Sequence, residues 1–222
     1  MYNIVMKKES VDLNFYKLVW IFTIGAVIGW GVELFVYWFK YDNFMYFQGL
    51  VYGPFQLIYG IGALILALIF IFCRKMNFFL IFLIGFVVFT IFEYIGSWIQ
   101  EFLFGSFTWN YTNFFRITLN GRVNLLYCVL FGLLTVIWVK FVHEKLLILL
   151  DKFRGRIFKV ITIIFAVFLT VNIILTCMAT ARLVDRHNEI APRNSFERFI
   201  DKHYDDEFMK KWLPKVRVIR ND

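Results

Sequence analysis

Charge is what this chain has least of. Of its 222 residues only 18% are Asp, Glu, Lys or Arg, against 60% hydrophobic and 21% aromatic, a balance outside the range of soluble domains. This scarcity excludes an ordinary water-soluble fold and points to an all-α, polytopic integral membrane protein. Cysteine is scarce too. Cys73, Cys128 and Cys177 stand alone within or at the end of apolar runs, with no CxxC, so they read as buried thiols and not as a disulfide or a metal set. His143, His187 and His203 lack zinc-ligand spacing, and neither metal nor cofactor is expected. There is no GxxxxGK[ST] loop, so this chain cannot hydrolyse ATP itself. The first apolar run is too long for the core of a cleavable signal, so no cleavage is expected.

The net charge of +8 is not spread as a nucleic-acid surface. Ten of the 24 Lys and Arg residues follow Ala181 and six lie between Lys140 and Lys159, which suits orientation signals and lipid headgroups, with the bilayer and not nucleic acid as partner.

What is there in abundance is apolar sequence. Five runs, about 18–39, 55–73, 78–103, 123–142 and 157–181, are expected to span the membrane as one bundle over residues 1–181. Each keeps one small or polar face, as helices packing in lipid require. Pro54 suits the first turn of the second span. Residues 40–54 and 104–122 are aromatic loops that lie at the interface or fold back into the protein, and 143–156 is a short basic link. After Arg182 comes a charged tail, 182–222, in which Asn194 and Glu197 form a capping pair and the apolar stripe from Phe196 to Trp212 predicts an interfacial helix over about 195–212. Eleven Lys and Arg residues in the N-terminal segment, the 74–75 turn and 140–159, against three in the two aromatic loops, favour a cytoplasmic N-terminus. Five spans then put the tail outside, unless a re-entrant or sixth segment in 40–54 returns it.

The costliest residues lie between Phe92 and Arg122. Thr90, Glu93, Ser97, Gln100 and Glu101 share one face of the third span. A carboxylate in hydrocarbon costs about 2.5–3.5 kcal/mol even on insertion scales and marks a bundle interior or wet cavity. Arg122 opens the fourth span after Asn120-Gly121, a turn pair, and is expected to pair with Glu101 as the nearer and Glu93 as the deeper acid. Asn124 shares a face with Cys128, Gly132 and Thr135, and Glu33 ends a Gly25/Gly29 seam in the first span. Residues 18–73 and 78–142 also read as a repeat of helix with acid, aromatic loop and small-faced helix, which would place Glu33 and Glu93 in corresponding positions. The candidate cluster is therefore Glu33, Glu93, Ser97, Glu101, Asn120, Arg122 and Asn124.

At LVYGPFQLIYGIG (50–62), FEYIGSWIQEFLF (92–104), WNYT (109–112) and LNGRV (119–123) the chain resembles the bacterial ABC-transporter permease family, type IV (CmpB-like), over nearly its full length. The family pattern has an acid where Asn110 stands, a Pro where Leu57 stands and an Asn where Thr118 stands. The resemblance implies a permease subunit for a small-molecule or lipid-like substrate, working with a separate ATPase subunit and compatible with an oligomer. Its motif residues Tyr52, Gly53, Pro54, Tyr59, Gly60, Trp109 and Tyr111 are the expected supporting loop. The alternatives are a membrane-embedded lipid-modifying enzyme, with Glu93 or Glu101 as base and Arg122 with Arg116 holding a phosphate, and a non-catalytic accessory subunit.

Overall fold

A computed structural model describes residues 13–42, 46–112, 117–153 and 155–219. Arg116, the proposed second phosphate-holding residue, lies outside them. The architecture is all-α, 73% helical. The long helices are α1 (Phe15–Tyr41), α2 (Leu57–Cys73), α3 (Phe78–Phe104), α4 (Leu125–Ile137), α5 (His143–Asp151) and α6 (Arg156–His187), followed by short α7 (Ser195–His203) and α8 (Asp206–Trp212). A π-helical turn, Trp138–Val142, joins α4 to α5. Four rods, Phe15–Lys40, Phe78–Phe104, Leu125–Asp151 and Arg156–His187, are long and apolar enough to cross a membrane, and α2 is a shorter apolar helix. Much of their apolar surface faces outward, with Phe39 81% and Phe72 75% exposed, as helices that are hydrophobic all round require of lipid.

Polar residues at the ends start and stop these helices. The side chains of Asn14, Asn77, Asn124, Asn194 and Asp205 each accept a first-turn N–H, from Lys17, Leu80, Leu126, Glu197 and Phe208, and so satisfy donors that the helix itself leaves free. Glu197 reaches back to the N–H of Arg193 at 2.6 Å, completing the expected capping pair. α3 stops at Gly105, whose φ of 59° is the left-handed cap that glycine adopts without strain.

The repeat is visible in the packing. A shift of 60 residues carries Phe22, Gly25 and Glu33 of α1 onto Phe82, Gly85 and Glu93 of α3, and a shift of 72 carries Gly60 and Ala63 of α2 onto Gly132 and Thr135 of α4. The contacts move with them. A Cβ at Gly60 would lie 2.6 Å from the Phe22 ring, and one at Gly132 2.7 Å from the Phe82 ring. A Cβ at Gly25 would meet that of Ala63 at 2.4 Å, and one at Gly85 that of Thr135 at 2.4 Å. Tyr59 fills the space over Gly29, and Phe131 stacks on Phe89 at 5.2 Å in the same place of the second pair. Two helix pairs of one design therefore run parallel, and α6 packs against both.

Several boundaries differ from expectation. The fourth span continues through the expected basic link to Asp151, because one face of that stretch is apolar and packs: His143, Leu147 and Leu150 are buried. His143 thus lies inside the long rod, where Trp138 Nε1 donates to its Nδ1 at 3.0 Å. Pro54 precedes α2 by three residues, with Gln56 at the N-cap. The fifth span extends to His187, taking Arg182 into the bundle, and 195–212 is two helices broken at Tyr204–Asp205. Residues 46–56 hold no helix and fold inward. Phe47, Leu50 and Val51 are buried, and Asn172 of α6 pairs with both backbone groups of Tyr52, at 3.1 and 2.6 Å.

The tail is tied down at the same end of the bundle as the aromatic loops. β1 (Ser106–Phe107) pairs antiparallel with β4 (Arg217–Val218), Gln48 N donates to Trp212 O at 2.7 Å, and Ile200, Tyr204, Met209 and Leu213 pack on Val51 and Ala179. Arg182, 3% exposed, donates twice to Asp201, at 3.0 and 2.7 Å, and Arg186 adds a third bond at 2.6 Å. The Arg182 bonds hold the Asp201 carboxyl below the usual carboxylate range. At the opposite end Lys17 pairs with Asp151 at 3.0 Å and Lys140 ties down the 74–76 turn.

Candidate functional site

The site is built from the two repeats and the loop between α3 and α4. In that loop β2 (Thr118–Leu119) pairs with β3 (Val123–Asn124) across a turn in which Asn120 and Gly121 both have positive φ, 52° and 68°, and Arg122 N closes the turn onto Leu119 O at 3.0 Å. Asn-Gly is the dipeptide that accepts this geometry. It swings Arg122 back over α3, where Nη2 pairs with Glu101 and Nη1 donates to Ser97 Oγ at 3.2 Å. The guanidinium carbon sits 5.8 Å from the Tyr94 ring, and Asn120 Nδ2 donates to the Tyr94 hydroxyl at 3.2 Å. Trp109 Nε1 donates to Arg122 O at 3.1 Å. Asn110, where the family pattern has an acid, accepts from Thr112 N and Oγ1 at 2.8 and 2.6 Å, bonds that a carboxylate would also accept.

The expected nearer partner of Arg122, Glu101, is in place, whereas the deeper one is not. Glu93 takes its hydrogen bond from the Tyr111 hydroxyl, 2.8 Å from Oε1, and its other oxygen is buried without a partner. The reason is reach: Arg122 is used up about one to two helical turns above Glu93, at Ser97 and Glu101, and the loop lowers Tyr111 into the gap. Burial, then the Glu93 carboxylate, pushes the Tyr111 hydroxyl well above its ordinary range, so it stays a donor. Asn124 is 1% exposed; its oxygen caps α4 and its Nδ2 has no partner.

Glu33 stands apart from this group, in the first repeat. Gln56 Nε2 donates to it at 3.0 Å, the tail's Lys215 pairs with it, and the Lys215 ammonium lies 4.5 Å from the Phe47 ring centroid. Tyr59 lies between the two repeats, its hydroxyl in electrostatic range of Glu33, Tyr127 and Glu93. Of the supporting residues, Gly60 is the packing point under Phe22, and Gly53, at φ 80°, turns the loop over the Phe55 ring. Tyr52 bonds the Tyr204 hydroxyl at 2.8 Å.

Gln56 entered the sequence reading only within the motif LVYGPFQLIYGIG, while Lys215 and Tyr127 gave no signal. Among the described residues no group of three His, Cys, Asp or Glu side chains could hold a metal ion. The cysteines are Cys73 and Cys128, buried, and Cys177, half-buried, all as free thiols.

Apolar rods and a paired-helix repeat define an all-α, multi-pass membrane protein. A family model described as Putative ABC-transporter type IV (CmpB) matches residues 20–177, and the chain belongs to that family. No curated protein and no solved structure matches the chain.

Proposed function

We propose that this chain is the permease subunit of a transport system in the bacterial cell membrane, with its N-terminus cytoplasmic and a separate ATPase subunit bound at the end that carries Arg74, Lys75, Lys152 and Arg156. The observation that carries this reading, beside the family, is the pair of acids at matching places of two repeats, each held by a hydrogen bond from within the protein, Glu33 from Gln56 and Glu93 from Tyr111. Intramembrane acids at a repeat interface mark substrate or ion pathways in transporters. The substrate is a small molecule or lipid-like compound that meets Glu33 and Glu93, while Arg122, Glu101, Ser97 and Asn120 brace the loop above them.

A lipid-modifying enzyme would need Arg122 to hold a phosphate. Arg122 is instead occupied by Glu101 and Ser97, so the permease reading is preferred. Its test is purification in mild detergent from the native membrane. An ATPase that co-purifies, and whose turnover depends on this chain, is the expected result; a clean preparation with no nucleotide-binding partner, together with a modified lipid that disappears when the gene is deleted, would replace it with the enzyme reading.

A further inference from the structure

The two repeats differ in how their acids are satisfied. In the first, Glu33 is met by a primary ammonium, that of Lys215, which also lies against the face of Phe47. In the second, Glu93 stands 60 residues on, at the equivalent place of the equivalent helix. It is 7% exposed, carries one hydrogen bond from Tyr111, and presents a second carboxylate oxygen that is buried and unpartnered. Aromatic rings again flank the acid, Tyr111 packing on Tyr127 at 5.1 Å. No basic side chain of the described residues forms an ion pair with it; Arg122 is held at Glu101.

We infer that Glu93 is the binding site for a protonated primary amine, and that Lys215 is the chain's own copy of that ligand in the sister position. The inference rests on the transport reading of this acid pair and names its substrate class. The chemistry follows from the donor count. A buried carboxylate with one hydroxyl donor is under-satisfied, and leaving such a group without a partner is costly. An ammonium supplies N–H donors together with the opposite charge, and aromatic faces beside the carboxylate add attraction for a cation. A quaternary ammonium has no N–H for the vacant oxygen. Sodium offers charge without hydrogen bonding and prefers more oxygen ligands than one carboxylate provides.

The test is calorimetric titration of the purified full chain in detergent with methylammonium chloride, with sodium chloride and tetramethylammonium chloride at matched ionic strength as controls. One saturable methylammonium site is expected, with neither control competing. Glu93→Gln should weaken binding at least tenfold, and Glu144→Gln, at an exposed acid of α5 outside the site, should leave it within about twofold. The decisive variant is Lys215→Met, which frees Glu33 and should raise the stoichiometry from one to two. It also keeps the inference falsifiable if Glu93→Gln fails to fold. No saturable heat above the sodium control, as for a Glu93 that simply holds a proton, would overturn it. So would binding that survives in a folded Glu93→Gln, or a Lys215→Met stoichiometry that stays at one. A missing ATPase partner with methylammonium binding intact would remove the transport reading and leave the site; a partner found without binding would do the reverse.

Discussion

Tyr111 holds Glu93: the hydroxyl of a loop residue reaches down between α3 and α4 and donates at 2.8 Å to a carboxylate 93% removed from solvent, which leaves the loop's arginine to the acid above. Removing the hydroxyl strips a buried carboxylate of its donor, a loss of roughly 1–3 kcal/mol. Tyr111→Phe should therefore lower the melting temperature in detergent by several degrees, and in a Glu93→Ala background should lower it much less. Equal losses in both backgrounds would show that the two groups are not coupled.

Arg122 and Glu101 should behave differently. The Glu101 side chain is 44% exposed, and pairs open to solvent are worth less than about 1 kcal/mol. Glu101→Gln is expected to leave the melting temperature almost unchanged, whereas Arg122→Ala, which also releases Ser97 and the Tyr94 ring, should speed hydrogen exchange in residues 117–124. A large drop with Glu101→Gln would mean that the pair is shielded far better than its exposure implies.

The repeat predicts matching sensitivities. Gly25→Val and Gly85→Val each force atoms into a neighbour that a Cβ alone would already approach to 2.4 Å, so both should cost at least the roughly 1–3 kcal/mol of overpacking. Gly31, around which a Cβ meets nothing within 4 Å, should accept alanine with a small gain in stability. Comparing the three melting curves checks the pairing of α1 with α2 and of α3 with α4.

Acid should release the tail. Because the Asp201 carboxyl is held below its unfolded value of about 3.9, its contribution is fully present above that value and fades as pH falls through the lower folded value. Amides of 195–218 should stay protected from exchange at neutral pH and lose protection in strong acid before those of α1 and α3. Asp201→Asn should expose the same amides at pH 7. Protection unchanged in Asp201→Asn would mean that the apolar contacts of Ile200, Tyr204 and Met209 alone hold the tail.

Orientation can be read by labelling. With the native cysteines replaced, single cysteines at Asn110 and Glu189 should react from outside the cell and one at Lys152 only from the cytoplasm, all three positions being exposed. Reaction of Asn110 and Lys152 from one side would contradict the five-span reading.

The sequence by itself determined the elements whose causes are local. Side chains at Asn14, Asn77, Asn124 and Asn194 cap helices within three residues, Asn120-Gly121 makes its turn within four, and the 60-residue recurrence of phenylalanine, glycine and glutamate marks the repeat. These follow from covalent geometry and short-range hydrogen bonding, which the order of residues fixes directly. Only the tertiary structure decided which partner each buried polar group takes. Glu33 meets Lys215 across 182 positions, Tyr52 meets Asn172 across 120, and Arg182 meets Asp201 because α7 folds back on α6. Composition likewise placed His143 in a basic link, whereas a π-turn carries the helix past it and buries it. Helices that are apolar all round do not announce which face meets which neighbour, so the long-range pairs wait on packing, where small residues allow close approach and a buried charge accepts whatever donor the chain brings within reach.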